Sequence, residues 1–447
     1  MENTVEVHSV SAYSVDNLMG NLSKLAHALG MQISTANCYE TIHTWEPNCY
    51  KATWQATPGA FLFCLKTYFS FYFLATLVSK RGNLKKVDWG RFIRDVLQSS
   101  VFLTMNMIFF LMYLCQLRHL LGFFTPISMG FISSCMASFS AILFEKPSRR
   151  SALALYLTNL ASETLFRQLV NFGYIKPIPH GIFIPFSVGL GLFMYLYSKE
   201  RLSKSLTNML SGAIKLNVSK EILDGKKLPD DFHAFLHKLR TDFGRTKNCE
   251  HVHSCVSVCT EGFIKKTSLL AWAQLISMLF AAKNFKIPLF VGLLPLIFNA
   301  SRCSLNRVDG ISKTVRNVAS GSLAGLSMLV FPNVSIAMYC MWKAIESLYF
   351  DLVDRGYLPL VPHGEIILYT ITTGYVLWQV IVQPHAIRSG YLNFLGGLVG
   401  NRYKIFNRVL IDEFGYHSRV LFDAKLDLDP RYVTINPMLY KHLAGTR

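Results

Sequence analysis

Two cysteine–histidine groups are the first candidates for chemistry. Cys38-x4-His43-x5-Cys49 precedes the first long apolar segment, and Cys249-x3-His253-x5-Cys259, with Cys255 inside it, precedes the sixth. Thiolate sulfur and imidazole nitrogen are donors that suit zinc. The cysteines of each group are also close enough for a disulfide, or they can remain structural thiols. The spacings match no standard zinc module, so no metal ligand and no cofactor is assigned. Glu163 and Glu346 form a second pair, each inside an apolar segment. A carboxylate in hydrocarbon costs about 2.5–3.5 kcal/mol on insertion scales, so it faces a partner or a cavity. Arg167 follows Glu163 by four residues and Lys343 precedes Glu346 by three, which puts each cation on its carboxylate's helical face. Either a neutralised pair orients two helices, which is the favoured reading, or the carboxylates line a polar pathway.

Weaker signals complete the set. Pro179-His180-Gly181 and Pro362-His363-Gly364 are turns before apolar segments. Their histidines read as turn residues before they read as pH-sensitive groups. Ser134/Ser138 and Gly321/Gly325 are small-x3-small pairs that let helix backbones approach closely. His237 and Asp242 have an acyltransferase-like spacing but lack companion motifs. No phosphate-binding glycine loop, nucleophile elbow or His-Glu-x-x-His helix is present. The expectation is a protein without enzymatic activity.

The elements that carry these residues are apolar and long. Of the residues, 51% are hydrophobic and only 16% charged, against about 25% charged in soluble domains. Too few polar groups remain to cover a water-facing surface, and lipid removes that requirement. The net charge of +18 lies in loops and a linker, where membrane proteins keep cations for orientation and for anionic headgroups. No nucleic-acid motif accompanies it. Membrane spans need about 20 apolar residues. Candidates fall at 57–79, 96–117, 122–144, 151–172, 181–198, 263–282, 287–301, 315–331, 334–353 and 365–383. The expected fold is all-α and polytopic. The first 37 residues are polar, with no signal peptide or Arg-rich transit peptide, so internal segments are expected to carry targeting.

The second half repeats the first. At an offset of 183 residues Tyr156 meets Tyr339, Glu163 meets Glu346, Gly173-Tyr174 meets Gly356-Tyr357, and Gly191 meets Gly374. Upstream the offset is 187, where Ser134/Ser138 meet Gly321/Gly325. The chain is thus expected as two tandem multi-span repeats, 38–198 and 249–385. A polar extension (1–37) precedes them, a basic linker (199–248) joins them, and a soluble tail (386–447) follows. If all ten segments span, short loops on one side hold 14 Lys/Arg and those opposite hold 4, which favours inverted five-span repeats. Four spans per repeat would make them parallel.

The chain resembles the transmembrane protein 135 family. The resemblance is carried by Cys38-Tyr39-Glu40, His43-Thr44-Trp45 and Cys49, by Ser148-Arg149-Arg150, and by Asn159 through Arg167. Gly262-Phe263-Ile264, Gly321-x-Leu323-Ala324-Gly325, the Pro362-His363 turn and Leu428-Asp429-Pro430-Arg431-Tyr432 add to it. It implies a multi-span protein of peroxisomal and mitochondrial membranes. The implied roles are in mitochondrial fission through a dynamin-related GTPase, in peroxisome organisation, and in lipid or cholesterol handling. The family is distantly similar to pore subunits of the mitochondrial inner-membrane translocases, which would instead imply a conduit for lipid, solute or protein between the repeats.

Overall fold

A computed structural model describes residues 30, 32–80, 83, 85, 87–214, 249, 255–278, 286–423, 426 and 428–434. Among them the secondary structure is helical, apart from one isolated β-bridge between Ser34 and Phe124. His253, His237 and Asp242 lie outside the described residues, as does most of the basic linker.

The helices are α1 (Cys38–Thr41), α2 (Cys49–Ser79), α3 (Trp89–Leu121), α4 (Ser133–Ile142, entered through a π-helical turn), α5 (Pro147–Asn171) and α6 (Phe183–Ser198). After them come α7 (Lys204–Ile214), α8 (Cys255–Met278), α9 (Lys286–Leu305), α10 (Lys313–Ala324) and α11 (Val334–Asp354). The last are α12 (Gly364–Val382), α13 (Ser389–Val399) and α14 (Arg408–Asp412).

Side chains mark their ends. Asp88 accepts from Arg91 N at 3.1 Å and starts α3, while Gly122, in the left-handed region, ends it. Pro147 opens α5, where its missing N–H has no intrahelical use. Asn333 accepts from Ile336 N at 3.0 Å and starts α11.

Four helices are long and apolar enough to cross a membrane, namely α2 over Cys49–Leu77, α3, α9 and α12. In α2 only 11% of the apolar window is buried within the protein. Leu62, Phe69, Phe71 and Leu74 point outward. Water would penalise that face and hydrocarbon does not.

Packing divides the chain into two compact units, one made of 1–175 with 362–447 and the other of 176–361. These boundaries differ from those of the predicted repeats. The last helix of each predicted repeat packs with helices of the other repeat. In unit 1, α12 lies against α4 and α5; in unit 2, α6 lies against α10 and α11.

Each of these contacts is close. A Cβ on Gly374 of α12 would sit 2.3 Å from Cys135 Sγ of α4. On Gly191 of α6 it would sit 2.5 Å from Ser322 Oγ of α10. The turns before α6 and α12 also share a hydrogen-bond pattern. Tyr174 N donates to Leu169 O and Tyr357 N to Leu352 O, at 2.9 and 3.0 Å.

Two expectations change here. The linker's first residues form α7, whose Leu210 and Ile214 are buried in the unit 2 core. The tail, expected to be soluble, packs into unit 1. Phe394 of α13 meets Phe63 of α2 at 5.7 Å. Leu410 and Ile411 of α14 are buried. Arg408 is 3% exposed and donates to Ile381 O at the end of α12 (2.9 Å) and to Tyr403 O (2.8 Å). Burial pushes its guanidinium down to about 10, so it is still charged at neutral pH.

Candidate functional site

Unit 1 holds a partly open apolar cavity of about 170 Å³ between α3, α5, α12 and α13. Aliphatic and aromatic side chains line it, among them Phe102, Leu157, Leu395 and Phe406. Polar atoms in the lining are few. Asn106 Nδ2 reaches Tyr369 Oη at 3.5 Å. Thr373 is among the lining residues, its side chain beside Tyr369. Arg402 stacks on Trp45, its Cζ 5.2 Å from the ring centre. The cavity therefore presents an apolar wall with a few hydroxyl-bearing side chains. An apolar ligand segment matches such a wall.

The first cysteine–histidine group closes into a cluster. The Sγ atoms of Cys38, Cys49 and Cys115 and a ring nitrogen of His43 all lie within 4.8 Å of one another. Cys115 belongs to the penultimate turn of α3 and was not among the residues expected from sequence. In unit 2, Cys249, Cys255 and Cys303 gather in the same way, all buried, with Cys249 and Cys255 sulfurs 3.8 Å apart. Cys259 opens the second turn of α8 and is buried beside Cys303, whose sulfur draws its thiol pKa down. No disulfide joins cysteines among the described residues.

The carboxylates have cationic partners. Glu163 Oε1 accepts from Arg167 Nη2 at 2.6 Å, and Oε2 is bonded to Arg388, which follows α12. Glu163 is 6% exposed. Beside it, Gln168 Nε2 donates to Gln379 Oε1 (2.6 Å) and Gln383 Oε1 (2.7 Å). Glu346 pairs with Lys343 in unit 2. Sequence reasoning found the partners one helical turn away. It missed Arg388, Gln379 and Gln383, which no local spacing links to α5. It also missed Glu145, whose side chain is fully buried against Ser99 and Arg149.

The small residues and the turns are structural here. Cβ atoms on Gly321 and Gly325 would meet Met194 and Ser187 of α6. Ser134 and Ser138 are buried in unit 1 with hydroxyls that have no partner. His180 and His363 are exposed, with φ of 60° and 55°. Both hold left-handed turn positions between a proline and a glycine.

Apolar helices of spanning length, charges paired within helices and a cysteine-rich entry define a polytopic helical membrane protein. Residues 35–170 match the family model for the N-terminal cysteine-rich region of Transmembrane protein 135. Over this stretch the chain is similar to the transmembrane protein 135 family. No solved structure matches it.

Proposed function

We propose that this protein binds part of the apolar chain of a membrane lipid in the cavity of unit 1. Through that lipid it would influence mitochondrial division and peroxisome organisation from an organelle membrane, without enzymatic turnover. The observation that carries the reading is the apolar cavity with few polar atoms in its wall. A segment of a lipid chain would fill that apolar volume.

The test is capture of a lipid with a photoreactive acyl chain by the protein reconstituted in vesicles. Leu395→Trp, which fills the cavity, should abolish it. Capture that is absent in the parent, or unchanged in Leu395→Trp, refutes the reading. Solute flux that stops in Glu163→Gln would favour a conduit instead.

The basic linker 199–248 is proposed as the recruiting surface for a dynamin-related GTPase. Replacing its lysines by glutamine should lower GTPase recruitment to the organelle while membrane insertion persists. Equal recruitment by both forms would remove the linker from the mechanism.

The two-repeat organisation is part of the same proposal. Its support is the equivalence of contacts: Gly191 on Ser322 and Gly374 on Cys135 pair residues that correspond at the offsets 183 and 187. On this reading the repeats exchange their last helices.

A further inference from the structure

We infer that Cys38, His43, Cys49 and Cys115 bind one zinc ion in a tetrahedral site that staples α1 to α2 and α3. Zinc with sulfur at about 2.3 Å and nitrogen at about 2.0 Å sets ligand atoms about 3.5–3.8 Å apart. The four donors already lie within 4.8 Å of one another, so side-chain adjustments of about 1 Å complete the coordination sphere.

The histidine points to an ion more directly than the thiols do. His43 is 1% exposed. Its Nδ1 lies 2.7 Å from Glu46 O, a backbone carbonyl that can only accept. The proton therefore sits on Nδ1, and Nε2 carries a lone pair. Nε2 is buried without a hydrogen-bond partner. A backbone carbonyl holding one ring nitrogen while the other faces the ligand position is the usual second-shell arrangement of metal-binding histidines.

The scaffold is built before any ion arrives. Asn37 and Glu40 cap α1 reciprocally, at 2.9 and 2.6 Å, and so place Cys38. Arg118, one turn past Cys115 on α3, donates to Thr35 O and Ala36 O at 2.7 and 2.8 Å. Ser34 and Phe124 exchange backbone bonds of 2.9 and 2.8 Å. A disulfide would use two of the sulfurs and leave one thiol and the imidazole without a role. Hard cations such as magnesium or calcium select oxygen donors, and the four donors here are sulfur and nitrogen. Buried Cys249, Cys255 and Cys303 repeat the chemistry in unit 2, and Cys303 lies one residue from the 187-residue equivalent of Cys115.

The test uses the full chain, purified in detergent without chelator. Elemental analysis should find zinc, and Cys115→Ser should contain about one equivalent less than the parent. Because Cys115→Ser can misfold, two measurements avoid that risk. Cobalt(II) exchanged into the parent should give the intense visible bands and sulfur charge-transfer absorption of a tetrahedral thiolate site. His43→Cys, which keeps four donors, should retain the metal. The inference is overturned if the parent contains no zinc and binds no cobalt, if Cys115→Ser keeps the parent's metal content, or if mass spectrometry finds these cysteines in a disulfide.

Discussion

Gly189→Leu is expected to destabilise unit 2 by about 3 kcal/mol, the upper end for overpacking. A Cβ at Gly189 would lie 2.8 Å from Met341 N and 2.9 Å from Cys340 C and Met341 Cα, all backbone atoms of α11. Backbone within a helix cannot rotate away, so α6 and α11 must separate. Gly212 on α7 is the control, since a Cβ there meets nothing within 4 Å. The unfolding midpoint in detergent should drop for Gly189→Leu and stay near the parent's for Gly212→Leu. Equal midpoints for the two variants would refute the packing argument.

Arg388→Met should cost about 3 kcal/mol, because it leaves a buried carboxylate with one cation instead of two. Glu163→Gln in the same background should recover much of that loss, and the double-mutant cycle measures the coupling. The sequence-equivalent pair should behave differently. Glu346 is a partly exposed carboxylate beside Lys343 on its own helix, so Glu346→Gln should cost less than about 1 kcal/mol. Unfolding measurements that give the same loss at both positions would show that burial does not separate them.

Local patterns were legible in the sequence, and long-range closures were not. Helices hold the apolar runs because their hydrogen bonds close within the segment, which any apolar environment demands. Glu163 with Arg167 and Glu346 with Lys343 could be read from helical spacing alone. Cys38, His43 and Cys49 could be read from their proximity. Cys115 could not, because it lies 66 residues beyond Cys49 in an apolar run and only the return of α3 brings it home. Its one available signal was Cys303, close to the repeat offset. The tail looked soluble because its apolar residues come in runs too short to span. Short runs still fill a core when neighbouring helices supply the remaining surface, as Tyr403, Leu410 and Ile411 do in unit 1. The assignment of α6 and α12 to opposite units had no local signal, since the apolar pattern of a helix does not say which distant helices will pack on it.

The placement of α12 has a consequence for biosynthesis. Ribosomes deliver the chain from its N-terminus, yet unit 1 is missing its most enclosed spanning helix until residue 382 has been made. Until then Gln168 has neither Gln379 nor Gln383, and Cys135 faces no glycine. The first half must therefore wait in the bilayer, open on one side, while the second half is translated. A nonsense mutation near the 3′ end of the message would thus damage the amino-terminal half of the protein.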